Sequence, residues 1–208
     1  MRTRVKICGI TRCEDAQLAV DAGADAVGLV FYEKSPRFVS NDQAALISQL
    51  IPAFVSRVAL FKDADQQAVE SVLAQVEVDL LQFHGAESAD FCESFHRPYI
   101  KAIGMKGIEH DADFLISSVE TYRSAKALLL DGHAPGEAGG SGESFDWRAM
   151  TEIDKPVVLA GGLSVANVKQ AIQLMHPYAV DVSSGVESAP GLKDKDKIAA
   201  FMAQVNTW

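Results

Sequence analysis

The 208-residue chain has little cysteine, no surplus of basic charge and no long apolar run, and each shortage removes a class of function. Cys8, Cys13 and Cys92 are odd in number and show no metal-ligand spacing, so reduced thiols in a cytoplasmic protein are expected rather than a disulfide framework. At a formal charge of -9, no basic stripe rises above the acidic background, which argues against nucleic acid or a membrane surface as partner. An anionic ligand would have to be met locally. No stretch approaches the length of a membrane span, and Lys6 interrupts the N-terminal apolar run before it could serve as a signal-peptide core. No linker or low-complexity segment divides the chain, so a single domain over residues 1–208 is expected.

What is present is an alternation of short apolar runs and amphipathic stretches. VKICGIT (5–11) is strand-like, and Thr11 with Glu14 has capping-box spacing before a helix that stops at Gly23. DAVGLVF (25–31) follows, then a second capping box at Ser40 and Gln43, SRVALFK (56–62), LLQFHG (80–85) and PYIKAIG. A helix over 111–120, SAKALLLD, KPVVLAGG (155–162), a helix after Ser164, YAVDVSSG (178–185) and a last helix over 193–205 complete the series. Eight strand-then-helix units imply a parallel sheet closed into a (β/α)8 TIM barrel of the α/β class. An open doubly wound sheet is the alternative, weakened because no GxGxxG follows the first strand. Only the glycine-rich stretch DGHAPGEAGGSGESFDW breaks the rhythm, as a mobile cover or a plain connection.

Barrels of this kind carry their sites at the C-terminal strand ends. There, LAGG and DVSSG suggest phosphate-cradling backbone at Gly161, Gly162, Ser184 and Gly185, against the alternative of a tight turn and a helix cap. Cys8 is either a small buried hydrophobe or a thiolate lowered in pKa by nearby positive potential. Lys6, two residues earlier, shares its strand face and is expected to pair with Asp181 inside the barrel. Asp131 ends an apolar strand, where a carboxyl has a raised pKa and can act as an acid, or it caps the turn with Gly132. Arg37, behind Pro36, suits bidentate carboxylate recognition, although a solvated loop arginine is the plainer reading. His84 reads as a satisfied barrel residue, and His96, His110, His133 and His176 carry no spacing signal.

Taken in order, KICGIT, GLVF with SPR, LQFHG, LLLD, GGSGESFDW, LAGGL with Asn167-Val168, and VDVSSGVE with PGLKD resemble the phosphoribosylanthranilate isomerases of tryptophan biosynthesis, over nearly the whole chain. The resemblance implies a phosphate-binding barrel and an Amadori rearrangement of N-(5-phosphoribosyl)anthranilate to the 1-deoxyribulose ketose. It implies Cys8 as general base, Asp131 as general acid, Arg37 toward the anthranilate carboxylate, and Gly142, Gly161, Gly162, Ser184 and Gly185 as phosphate-loop positions. No cofactor and no metal are implied, and the expectation is a small phosphorylated substrate as partner and a cytoplasmic protein, either monomer or homodimer. The indole-glycerol-phosphate synthase domain to which such enzymes are sometimes fused is not in the sequence, which suggests the free-standing form. One departure is VALF in the third strand, where a glycine is common.

Two other readings compete. A histidine-pathway isomerase of a doubly phosphorylated substrate would need a second phosphate site in the first half of the barrel and a pair of aspartates, but the third and fourth loops begin KDAD and HGAES and strand one ends in Cys8. A phosphosugar-binding module without catalysis would keep the glycine loops and tolerate loss of Cys8 or Asp131, both of which are present.

Overall fold

The computed structural model describes residues 2–108, 110–134, 144–147 and 153–206. Eight parallel strands close into a barrel in chain order: β1 (Arg4–Cys8), β2 (Ala26–Val30), β3 (Ser56–Phe61), β4 (Leu80–Phe83), β5 (Tyr99–Gly104), β6 (Leu128–Asp131), β7 (Val157–Leu159) and β8 (Ala179–Val182). Pairing of Lys6 with Asp181 and Ile7 with Val182 joins the last strand to the first. The expected TIM barrel is therefore the fold, and the open sheet is excluded.

Period-two alternation assigns every strand residue to one of two environments. Val5, Ile7, Leu128, Leu130, Val180 and Val182 point outward into the large shell packed against the helices. Ile100, Ala102, Leu129, Val158 and Ala179 fill a smaller inner cluster. Lys6, Cys8, Asp131 and Asp181 alternate with the outward set, and so face the barrel interior. This explains the lysine in the middle of an apolar strand: it occupies an interior position and not a core-shell one.

Helices α1 (Cys13–Asp21), α2 (Asn41–Leu50), α3 (Gln66–Gln75), α4 (Ala89–Glu93), α5 (Ala112–Thr121), α6 (Val168–Met175) and α7 (Lys195–Val205) surround the strands. The Ser40 cap holds, its side chain accepting from the Gln43 N–H. The expected capping box at Thr11 does not form: α1 starts from Arg12 without a side-chain cap, and the Thr11 hydroxyl donates instead to the Gly191 carbonyl at 2.6 Å. A long-range partner thus outcompetes the local motif. The sequence reading also missed a 3-10 turn (Ser184–Val186) and the antiparallel pair β9 (Glu187–Ala189) and β10 (Leu192–Lys193), which precede α7. Both strands are too short to show a period. Most of the glycine-rich stretch, including 139–142, lies outside the described residues. No described helix is long and apolar enough to cross a membrane.

Candidate active site

The strand ends converge on a cavity of about 320 Å³, the size of a small-ligand pocket. Cys8 from β1, Leu60 from β3, Gln82 from β4, Asp131 from β6 and Asp181 from β8 all line it, as do His84 and the loops at 161–163 and 183–184.

On the β1 side, Lys6 Nζ donates to Asp181 Oδ2 at 2.8 Å with both side chains buried, which is the pairing expected from the sequence. Burial opposes the Lys6 charge, but Asp181 and Cys8 together hold its pKa above the ordinary value. Cys8 packs with Val30 and Leu60. Burial pushes its thiol up; Lys6 is the strongest opposing influence, and Asp181 offsets part of it. The expectation of a thiolate lowered by positive potential is corrected here, because in the ligand-free site desolvation outweighs the lysine.

The residue after it, Gly9, has φ +74, and a Cβ there would lie 2.4 Å from Arg37 Cδ. Glycine is required so that the arginine stem can run across the end of β1. Arg37 then meets Glu187 in a bidentate pair, Nε to Oε1 and Nη2 to Oε2, both at 2.8 Å. Lys193 Nζ shares Glu187 Oε1 at 2.7 Å and reaches the Ser183 carbonyl at 3.2 Å. Arg37 is accordingly a held residue and not a solvated one. Two of its N–H donors are committed to Glu187, leaving the others for a ligand. Glu187 and Lys193 are neighbours of Arg37 that residue-by-residue reading missed, because the short β9–β10 pair that delivers them has no sequence period.

Burial alone would raise the Glu187 pKa, but Arg37 and Lys193 lower it below the usual carboxylate value. Its contribution to stability is therefore fully present above the unfolded carboxylate pKa of about 4.3 and is lost as pH falls through the depressed folded value. Glu187→Ala strands the buried Lys193 and the part-buried Arg37 and is expected to cost about 3–5 kcal/mol at neutral pH. Thermal melts across pH check this, with the deficit against wild type shrinking on acidification.

Asp131 lies on the β6 side, buried, with His84 Nε2 at 3.2 Å and His133 Nδ1 at 3.4 Å from Oδ2. The two imidazoles stack with centroids 5.1 Å apart. Burial opposes the charge, yet His133 and His84 hold the carboxyl well below the usual carboxylate range. The raised pKa expected from an apolar strand is thus corrected: the residues beside Asp131 are polar. His84 is more than a packed barrel residue, and nothing in the sequence distinguished His133. Gln82 Nε2 lies 3.0 Å from the other His84 nitrogen, Nδ1.

Gly161, Gly162 and Ser184 line the same cavity. Gly185 sits one layer behind: a Cβ there would come 1.9 Å from the Leu163 carbonyl oxygen, so only glycine lets the 3-10 turn pack onto the 161–164 loop. Asn167 braces that loop, accepting from the Ser164 N–H at 2.8 Å and donating to the Gly162 carbonyl at 2.9 Å. Of the predicted site residues, Cys8, Arg37, Asp131, Gly161, Gly162 and Ser184 line one cavity, Gly185 supports its wall, and Gly142 lies outside the described residues.

The family model described as N-(5'-phosphoribosyl)anthranilate (PRA) isomerase matches residues 5–204. An N-(5'-phosphoribosyl)anthranilate isomerase of Pseudomonas savastanoi pv. phaseolicola is 52% identical over 204 residues, covering 98% of this chain and 97% of that one. The crystal structure of phosphoribosyl anthranilate isomerase from Thermotoga maritima superposes with TM-score 0.85 at 40% identity, over 99% of this chain and all of that one (100%). A phosphoribosyl anthranilate isomerase in complex with reduced 1-(o-carboxyphenylamino)-1-deoxyribulose 5-phosphate gives TM-score 0.82 at 37% identity, covering 99% and 100% of the two chains.

Proposed function

The chain belongs to the N-(5'-phosphoribosyl)anthranilate isomerase family, and from that premise we propose that this isomerase converts N-(5-phosphoribosyl)anthranilate to 1-(2-carboxyphenylamino)-1-deoxyribulose 5-phosphate, with Cys8 as base and Asp131 as acid. The observation that carries the assignment is that Cys8 and Asp131, from strands one and six, line one cavity whose wall also includes the loops after strands seven and eight, at 161–163 and 183–184. In this reading, residues 1–208 act as one barrel domain.

The loops at 161–164 and 183–185 hold the phosphate through backbone N–H groups. Arg37, oriented by Glu187, uses its remaining donors on the anthranilate carboxylate. Asp131 delivers a proton to the furanose ring oxygen, the C–O bond breaks, and the ring opens to a Schiff base. The neighbouring histidines hold the carboxyl well below the usual carboxylate range in the free site, so Asp131 takes up the proton it delivers once the substrate is bound. Cys8 then removes the proton from the sugar carbon next to the imine, whose nitrogen accepts the electron pair. The resulting enolamine tautomerises to the ketone. Lys6 stabilises the thiolate when it forms and is itself anchored by Asp181. These steps use only side chains of this protein.

The direct test follows the fluorescence of freshly generated phosphoribosylanthranilate on adding the protein. Rapid loss with formation of the ketose supports the assignment, whereas a folded preparation that binds substrate without turning it over rejects it in favour of a binding module. Gly185→Ala is expected to push the turn off the 161–164 loop and, by misplacing the phosphate by about 1 Å, lower kcat/KM by up to about 10²-fold. Steady-state kinetics on the variant measure this, and an unchanged value removes Gly185 from the phosphate site.

A further inference from the structure

We propose that His84, Asp131 and His133 form a binding site for one divalent transition-metal ion of the zinc type, and that its occupation withdraws the Asp131 carboxylate from catalysis. The second half rests on the acid role given to Asp131 above; the first half does not.

One ligand atom from each of His84, Asp131 and His133 lies within 4.8 Å of the other two, the only such group among the described residues. Tetrahedral zinc with bonds of about 2.0–2.1 Å sets its ligands roughly 3.3–3.4 Å apart. The two edges from Asp131 Oδ2 are 3.2 Å to His84 and 3.4 Å to His133. The three side chains are only 9%, 8% and 4% exposed in the order His84, Asp131, His133. Two of the three edges are therefore already at metal-ligand spacing, in a site shielded from bulk water.

A second observation points to the same ion. His84 Nε2 and His133 Nδ1 are buried and neither makes a hydrogen bond of good geometry, although buried polar atoms are almost always paired. Gln82 Oε1 is a third buried atom without a partner, and its amide lies against His84 Nδ1. Rotating that amide by half a turn exchanges its oxygen and nitrogen. When an ion displaces any proton from Nε2, Nδ1–H can donate to Oε1 and Nε2 presents its lone pair to the metal. A metal-bound histidine ordinarily has such an outer partner. Two imidazoles with one carboxylate suit Zn²⁺ or Co²⁺, and magnesium and calcium, which prefer oxygen-only sets, are disfavoured. His84 and Asp131 line the cavity, so an incoming ion has a path from the substrate space.

Chelator-stripped full-length protein titrated with Co²⁺ tests this without substrate. The expected result is a visible absorption band of four-coordinate cobalt that saturates at one equivalent, is displaced by Zn²⁺ but not Mg²⁺, and disappears in His84→Ala and in His133→Ala. In wild type, where folding is not in question, paramagnetic Co²⁺ should broaden the ring resonances of His84 and His133 before those of His96, His110 and His176. Absence of the band in folded protein, its survival in both histidine variants, its loss only in Cys8→Ala, or the reverse order of broadening would each overturn the site. In turnover assays, Zn²⁺ at ten times its Kd should lower activity about tenfold, restored by chelator. A cobalt band without inhibition overturns the regulatory half. A cobalt band in a protein with no isomerase activity at all counts against the proposed function and leaves the metal site standing.

Discussion

Replacing Cys8 by alanine is expected to lower kcat by about 10²–10⁴-fold with KM little changed, the loss expected when a general base is removed. The residue touches the reacting carbon in the proposed mechanism but contributes little to holding the substrate, since the phosphate and carboxylate are met by the 161–164 and 183–185 loops and by Arg37. The fold should survive: Cys8 packs in a small cluster with Val30 and Leu60, and removing one sulfur from it costs about 1 kcal/mol. The pH profile adds a readout that a merely structural role would not move. Burial raises the thiol above its ordinary value despite Lys6, so kcat/KM, which reports the free enzyme, should climb with pH on the alkaline side as the thiolate forms. That limb should vanish from the residual activity of the alanine variant. An alanine enzyme with wild-type turnover, or one that keeps the limb, would remove Cys8 from the reaction.

The barrel was legible because its signal is repeated: eight apolar runs recur along the chain, and among the described residues seven helices alternate with them, none of these lying between β6 and β7. No single unit had to be read correctly, and the failure of the Thr11 cap left the count intact. Candidate positions at strand ends were legible for the same reason, since Cys8 and Asp131 close their strands and inherit an inward direction from alternation. What stayed hidden depended on contacts between distant residues. Glu187 and Lys193 reach Arg37 across a two-strand ribbon too short for any period, and His133 meets Asp131 and His84 only after β4 and β6 are brought into one barrel. Both pKa expectations failed on this point. An apolar strand says nothing of the imidazoles that lower Asp131, and a lysine two residues from Cys8 says nothing of the burial that outweighs it.

Asp131→Asn should also cut kcat by about 10²–10⁴-fold, again with substrate affinity largely kept. The amide preserves the size of the carboxyl and can still meet His84 and His133, but it cannot pass a proton to the ring oxygen. Fluorescence decay under single-turnover conditions measures the ring-opening and proton-transfer steps directly, and normal decay in the variant would reassign the acid. Stability supplies an independent check. The two histidines place the folded-state pKa of Asp131 below the unfolded value of about 3.9. Its ionised form therefore contributes stability that is fully present above that unfolded value and lost as pH falls through the folded one. The melting temperature of Asp131→Asn should trail wild type most near neutrality, and the gap should narrow on acidification. A gap that widened toward acid would mean that the carboxyl is held protonated in the free enzyme. In that case the proton for the sugar would reside on Asp131 itself before substrate arrives, and the imidazoles would serve only to place it.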